Sequence, residues 1–221
     1  MKTFIITLSL VAALATRAWA QGYVSITALP VVIVGGGVTN KTGTAASSFY
    51  YDVLINSSTV TTIDSSLQGL TAAGWSDSGI TGVNGTGALG AGKITAVNTA
   101  SSVWAPGAEQ AFVVIGWSGS LGSTWAQLEA ALAGAHFQPG LEWSGLSGAG
   151  GLVGYTTVGS AIAGPDSGTA AQLFNSTSSA QVPVPVTTSL VLYPIAPEPG
   201  ALALAGLGVA TLLSFRLRKT S

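Results

Sequence analysis

The chain contains no cysteine, one histidine and one methionine, and only 7% of its 221 residues are charged. Without cysteine there is no disulfide framework and no thiolate ligand, so a domain built from this chain rests on core burial and backbone pairing alone. With His136 as the sole imidazole, a transition-metal centre lacks ligands. Cations are scarcer still once the two ends are set apart. Lys2, Arg17, Arg216, Arg218 and Lys219 lie in terminal segments, which leaves Lys41 and Lys93 against Asp52, Asp64, Asp77, Glu109, Glu129, Glu142 and Asp166, a net charge of −5. A domain of that balance cannot neutralise a phosphate backbone, and nucleic acid is excluded as a partner. Polarity is carried instead by Ser, Thr, Asn and Gly, a texture common in exported bacterial β domains.

The chain has two terminal signals. At the N-terminus, Met1-Lys2 form a minimal basic region, Phe4 to Ala15 an apolar one, and Ala18-Trp19-Ala20 a cleavage site of small-x-small form before Gln21. Residues 1–20 thus read as a signal peptide, with Ala18 and Ala20 as its cleavage residues. At the C-terminus a rigid Pro197-Glu198-Pro199 triplet is followed by an uncharged apolar run from Gly200 and then by Arg216, Arg218 and Lys219. As a helix, 200–217 covers roughly 27 Å, close to the hydrocarbon thickness of a bilayer. The basic cluster after it predicts a cytoplasmic C-terminus and an exported domain over 21–196.

That tail, triplet, Leu-rich run and basic end in order, resembles the PEP-CTERM sorting signal of Gram-negative bacteria, with Pro197, Glu198 and Pro199 as its motif and Arg216, Arg218 and Lys219 as its basic end. The resemblance covers about the last tenth of the chain. It implies an exosortase-like enzyme as partner, membrane contact through the tail helix, and routing to the cell surface or extracellular matrix, with exopolysaccharide as a candidate further partner. It carries no activity. A plain uncut anchor is the simpler rival. A lipid-anchor signal would have no use for the basic cluster.

Within 21–196 the pattern is that of strands. Tyr23 to Leu29 alternates, Val31 to Val34 is a short apolar run, and Phe49 to Ile55 (F-Y-Y-D-V-L-I) is dense in aromatic and β-branched residues, with Val60 to Ile63 as its expected hairpin partner. Gly74 to Gly92 reads as a long Gly/Ser/Thr/Asn loop, with short strands hidden in it or real mobility. Lys93 to Val97 and Ser102 to Trp104 are further candidates. Ala111 to Trp117 (A-F-V-V-I-G-W) reads as a strand buried on both faces. One helix is expected, capped by Ser123 or Thr124, with Trp125, Leu128 and Leu132 on its apolar face and His136 at its end. Leu152 to Val158 and Thr187 to Tyr193 are the last strands expected, with Pro194 to Gly200 as a stiff linker. The fold class is mainly β, a β-sandwich-like exported domain with one short helix. Trp75-Ser76, Trp117-Ser118 and Trp143-Ser144 are unequally spaced, so they read as turn chemistry at strand ends and not as a repeat. The order strand, W-S-G-S-L-G-S-T-W, helix resembles a unit of exported PEP-CTERM proteins from Verrucomicrobia-like bacteria.

Catalytic patterns are weak. Gly85, Gly87 and Gly90 match a dinucleotide fingerprint in spacing alone, without the strand before and helix after that such a loop needs, and Ile94 stands where a phosphate loop needs a hydroxyl. Ser118 and Ser147 lack the second glycine of a nucleophile elbow. The seven acids show no diagnostic spacing for a glycosidase pair, and Asp77 and Asp166 lie in Ser/Gly turns without a calcium-loop pattern. Asn40, Asn56, Asn84 and Asn175 head glycosylation sequons of the kind chance produces in such a composition. No catalytic residue, metal or cofactor is assigned. The expectation is a structural or adhesive, non-enzymatic domain. The alternative is a carbohydrate-binding module or weak glycosidase acting on exopolysaccharide, since five tryptophans among small polar residues suit sugar rings.

Overall fold

The computed structural model describes residues 21–27, 33–34, 40–42, 48–63, 70, 74–86, 91–132, 136–137 and 151–196. The signal peptide, the triplet, the tail helix, Asp64, Glu142 and Trp143 lie outside them. Among the described residues no helix is long and apolar enough to cross a membrane.

The strands in chain order are β1 (Gly22–Ser25), β2 (Ile33–Val34), β3 (Asn40–Lys41), β4 (Phe49–Ser57), β5 (Ser76–Asn84), β6 (Ile94–Asn98), β7 (Ala100–Ser101), β8 (Glu109–Ser118), β9 (His136–Phe137), β10 (Leu152–Tyr155), β11 (Gly159–Ile162), β12 (Ala171–Gln172) and β13 (Val191–Ala196). The helix α1 spans Trp125–Leu132. A large sheet runs β3-β2-β13-β10-β8-β4-β5-β6, with β11 also on β8 and β9 on β13, and a small sheet runs β12-β1-β7. The fold is thus mainly β, as its composition predicts.

β8 organises the large sheet. Its even and odd residues are both apolar, so alternation sends Phe112 and Val114 into one core and Ala111, Val113, Ile115 and Trp117 into another. The first core lies between the two sheets and includes Val24 and Ala171 from the small sheet, Ile26 just after β1, and Tyr51, Val53 and Ile55 of β4. The second lies under α1, where Trp125, Leu128 and Leu132 meet Leu54, Leu70 and Trp75. One edge of β8 pairs with β4 in unbroken register from Phe49↔Ser118 to Ser57↔Gln110. The other edge is shared by β10 and β11. At their junction the buried Thr156 donates its N–H to Val114 O (3.0 Å) and accepts Val114 N–H on Oγ1 (3.0 Å), so β8 has no unpaired backbone there.

The helix forms where predicted because the side chains of Thr124 and Gln127 close its first turn. Thr124 Oγ1 accepts Gln127 N–H (3.4 Å) and Gln127 Oε1 accepts Ser123 N–H (2.7 Å). Other expectations need correction. The expected Gly74–Gly92 loop contains β5, a nine-residue strand paired with both β4 and β6. Its small polar residues hide the alternation, yet Ser78, Ile80, Gly82 and Asn84 are its buried face. β5 thus takes the place beside β4 expected of Val60 to Ile63, which are not strand. A strand does precede Gly85, and the next described element is the strand β6, paired antiparallel with β5, whereas Gly87 and Gly90 lie outside the described residues. Ser102 to Trp104 is a bend after β7. His136 lies in β9 opposite Ala196, beyond a helix that has ended at Leu132. Pro194 to Ala196 are strand and not linker, β13 having started only at Val191. β11 and β12 fall in segments too short and small-residue-rich to announce themselves.

Gly154 marks the tightest approach in the large sheet. A Cβ there would strike the Val191 carbonyl of β13, a backbone atom that cannot rotate away. Gly154→Ala is expected to destabilise the protein by about 2–3 kcal/mol, as overpacking against backbone does. Chemical denaturation at fixed pH measures it, and an unchanged midpoint would refute the β10–β13 packing.

Candidate functional site

The described residue most at odds with its surroundings is Asp52. In β4, Tyr51, Val53 and Ile55 face the first core, so Tyr50, Asp52 and Leu54 face the second. Asp52 is 1% exposed, and its Oδ1 has no hydrogen-bond partner. Leaving a buried acceptor unpaired costs about 1–3 kcal/mol.

β5 brings a second acid to it. The β4–β5 register shifts between Asp52↔Thr81 and Leu54↔Asp77, so Ser78, Gly79 and Ile80 bulge out opposite Val53. Gly79 takes φ +75°, where an L side chain is strained. Side chains satisfy the bulge: Asp77 Oδ1 accepts Gly79 N–H (2.5 Å), Ser78 Oγ accepts Ile80 N–H (3.2 Å), Asn98 Nδ2 donates to Gly79 O (2.6 Å) and Ser101 Oγ donates to Ser78 O (2.6 Å). The bulge carries Asp77 to hydrogen-bond reach of the Asp52 carboxyl. Burial first, then the nearby Asp77 charge, pushes the Asp52 carboxyl up to about 8, against the partial relief of Val53 N–H. At neutral pH Asp52 is therefore held as a carboxylic acid, beside the exposed Asp77 side chain.

The two acids line a cleft of about 360 Å³ between β4, β5, β8 and the start of α1, whose other walls include Tyr50, Trp117, Trp125, Ser123 and Thr124. The Tyr50 and Trp117 rings stack with centroids 6.2 Å apart and planes 27° apart. Trp117 is fixed by its indole N–H, which donates to Gly122 O (2.9 Å). Carboxyls, hydroxyls and aromatic rings all contribute to the lining of the cleft.

The other sequence candidates are dispersed. Trp75, Trp104, Trp117 and Trp125 are all buried, so none stands on an exposed aromatic face. Trp75-Ser76 begins β5 and Trp117-Ser118 ends β8, in keeping with turn chemistry at strand ends. Asp166 caps a short 3-10 turn, its Oδ1 accepting Thr169 N–H (2.9 Å). Asn84 is buried, its Oδ1 accepts the Tyr51 hydroxyl (2.9 Å) and its Nδ2 donates to Ser48 Oγ (3.2 Å), which withdraws it from glycosylation. Burial pushes the Tyr51 phenol up. Among the described residues no three His, Asp or Glu side chains gather as metal ligands. The sequence reading missed the meeting of Asp52 and Asp77. The available signal was the lone acid in F-Y-Y-D-V-L-I, which alternation puts on the face of Tyr50 and Leu54.

The family model of the PEP-CTERM protein-sorting motif matches residues 196–219. The chain thus carries a PEP-CTERM sorting motif, one recognised by exosortase, which implies export and a surface or envelope location. No curated protein and no solved structure matches the chain.

The raised Asp52 carboxyl has a signed consequence. Between its ordinary value of 3.8 and about 8, the folded protein keeps a proton that the unfolded chain gives up. Stability therefore falls as pH rises across that window, by at most about 1.4 kcal/mol per unit, and levels off above it. Asp52→Asn is expected to remove that slope, so its melting temperature rises relative to wild type from pH 4 to pH 8. Parallel melting curves for the two proteins across that range would contradict a buried, proton-holding Asp52.

Proposed function

We propose that the protein is exported across the inner membrane of a Gram-negative cell, held by its tail helix, sorted by an exosortase-like enzyme and displayed on the surface or in the extracellular matrix. Its β domain serves there as a structural or adhesive, non-enzymatic component. The observation that carries this reading is the junction of domain and signal. The sorting motif begins at Ala196, the last residue of β13, a strand paired with β10, β2 and β9. The sorting signal thus follows the folded domain without an intervening residue. Pro197, Glu198 and Pro199 are the recognised triplet in this reading, and the signal peptide over 1–20 supplies export.

The carbohydrate-binding alternative is favoured by one observation, the aromatic-walled cleft with its buried acceptor. Its glycosidase variant is not favoured by the acid pair. Retaining and inverting hydrolysis need carboxyls about 5 to 9.5 Å apart, whereas Asp52 and Asp77 are close enough to share a hydrogen bond.

Replacing Pro197, Glu198 and Pro199 together by alanine is expected to leave the full tail on the protein and keep it in the inner-membrane fraction. The wild type is expected to reach the surface or medium without the residues beyond the triplet. Intact mass of each fraction from the native host decides it, and a wild-type protein that keeps its tail in the membrane would replace sorting by a plain anchor.

A further inference from the structure

β13 fixes where the tail leaves the domain. Its Val191 and Leu192 pair with β2, Tyr193 and Pro194 with β10, and Ile195 and Ala196 with Phe137 and His136 of β9. Ala196 is therefore held by the sheet and does not swing as a free end does. The apolar run of the tail starts at Gly200, so Pro197, Glu198 and Pro199 alone stand between them. The path from Ala196 to Gly200 reaches about 14 Å when fully extended. The headgroup layer of a bilayer takes up about 5–7 Å of that. With the run seated in hydrocarbon, the end of the domain that holds Ala196 stays within about 10 Å of the lipid surface.

The strand registers identify that end. Pro194 lies opposite Leu152, and Tyr193 and Trp117 are both opposite Val153, so the C-terminal end of β8 shares it. The turn Gly119–Leu121 follows β8 there, with Ser120 exposed. Phe49 is opposite Ser118, and Gly119 N–H donates to Ser48 O (2.8 Å), which adds the start of β4. The other end of β8 is about 30 Å away along the strand. Ser57 opposite Gln110 and Glu109 opposite Ile162 lie there. β1 starts there too: a Cβ on Gly22 would strike Ala163, whose N–H donates to Ala108 O (3.4 Å). The chain thus enters the domain at one end and leaves it at the other.

Charge is divided in the same way. Glu109 is exposed at the far end, and so is Asp166, two residues past Gly164, which bridges Tyr23. No Asp or Glu is among the described residues that the registers place at the Ala196 end. The ionisable residues there are basic: His136 opposite Ala196, and Lys93, whose carbonyl accepts Gly85 N–H (2.9 Å) just past the Asn84↔Ile94 pair. An anionic lipid surface attracts the first end and repels the second.

We propose that the end of the domain formed by Ala196, the Gly119–Leu121 turn and the start of β4 rests on anionic phospholipid headgroups while the tail is in place, and that the end bearing Ser57 and Glu109 faces outward. The proposal rests on the reading of 200–217 as a membrane helix. One lysine is too little to hold a domain on lipid, so the short tether makes the contact and charge orients it.

The absence of cysteine makes the test clean. Ser120→Cys and Ser58→Cys place one fluorophore each on an exposed residue, at the near and the far end. The tail-bearing chain, purified in detergent from the host membrane, is reconstituted into vesicles of phosphatidylcholine, with or without phosphatidylglycerol, that contain a lipid with a nitroxide on its headgroup. The Ser120 probe is expected to lose most of its emission and the Ser58 probe little, because about 30 Å of strand separates the two ends. The contrast is expected to be greater with phosphatidylglycerol. A Gly/Ser insert of about 20 residues between Ala196 and Pro197, with a reach of about 25 Å, is expected to restore emission at Ser120. Equal quenching at the two positions would overturn the orientation and leave the membrane helix standing. Quenching at Ser120 that survives the insert would overturn the tether as its cause, and a contrast that fails to grow with phosphatidylglycerol would overturn the role of charge. A chain that does not float with the vesicles would overturn the membrane helix and this inference together.

Discussion

Everything in this domain depends on β8 being apolar on both faces. A strand with one polar face can end a structure at water, but β8 cannot. Phe112 and Val114 demand one cover, and Val113, Ile115 and Trp117 another. The small sheet supplies the first and α1 the second, which is why a two-sheet domain also has a helix. The same strand must have its N–H and C=O groups met along both edges, because no water reaches them. β4 meets one edge in an unbroken ladder. The other is met by two short strands whose gap is closed by the Thr156 main chain and hydroxyl together.

The cleft follows from that arrangement. Once β4 lies against β8, its register is fixed, and period-two alternation leaves Asp52 no choice of face. It falls under the helix, beside Ile115 in the pairing and between the rows of Tyr50 and Leu54. An acid there costs free energy in proportion to its burial, and the fold lowers that cost by holding the proton on Asp52 beside the exposed Asp77. The β5 bulge makes the juxtaposition. Two extra residues against Val53 shift the later pairing to Leu54↔Asp77, and glycine at position 79 permits the left-handed turn this requires.

How much of this was readable in the sequence divides along physical lines. β4, β8 and α1 were legible because each is set by its own residues: dense aromatic and β-branched runs for the strands, a capping residue and three apolar positions for the helix. β5 was not, because S-D-S-G-I-T-G-V-N has little strand propensity of its own and is made a strand by two neighbours offering hydrogen bonds. His136 was read onto a helix end because the helix could stop at Gln138-Pro139-Gly140 as well as at Gly134, whereas the partner that claims it, β13, lies some sixty residues on. The same strand absorbs Pro194 by pairing. The candidate site splits in the same way. Its sorting motif is a linear signal and was legible as a segment, and the burial of four tryptophans was the plainer reading of an aromatic-rich core. The acid pair was illegible as a pair, since Asp52 and Asp77 meet only through a register shift that no spacing rule encodes.

The two kinds of information have different physical carriers, and this bears on how the molecule works. A sorting enzyme that reads 196–219 needs that segment only as a segment, so any folded domain can be placed before it without altering the signal. The cleft needs the whole domain, because its walls come from β4, β5, β8 and α1 and its acids are aligned by a bulge tied to β6 and β7. A change in the tail moves the protein without touching the cleft, and a change at Gly79 or Asp52 alters the cleft without changing the address. The single residue at which the two meet is Ala196, at once the last residue of β13 and the first of the motif. Any cut that removes the tail beyond the triplet therefore leaves β13 whole. A domain parted from the segment beyond the triplet would keep its core and its cleft.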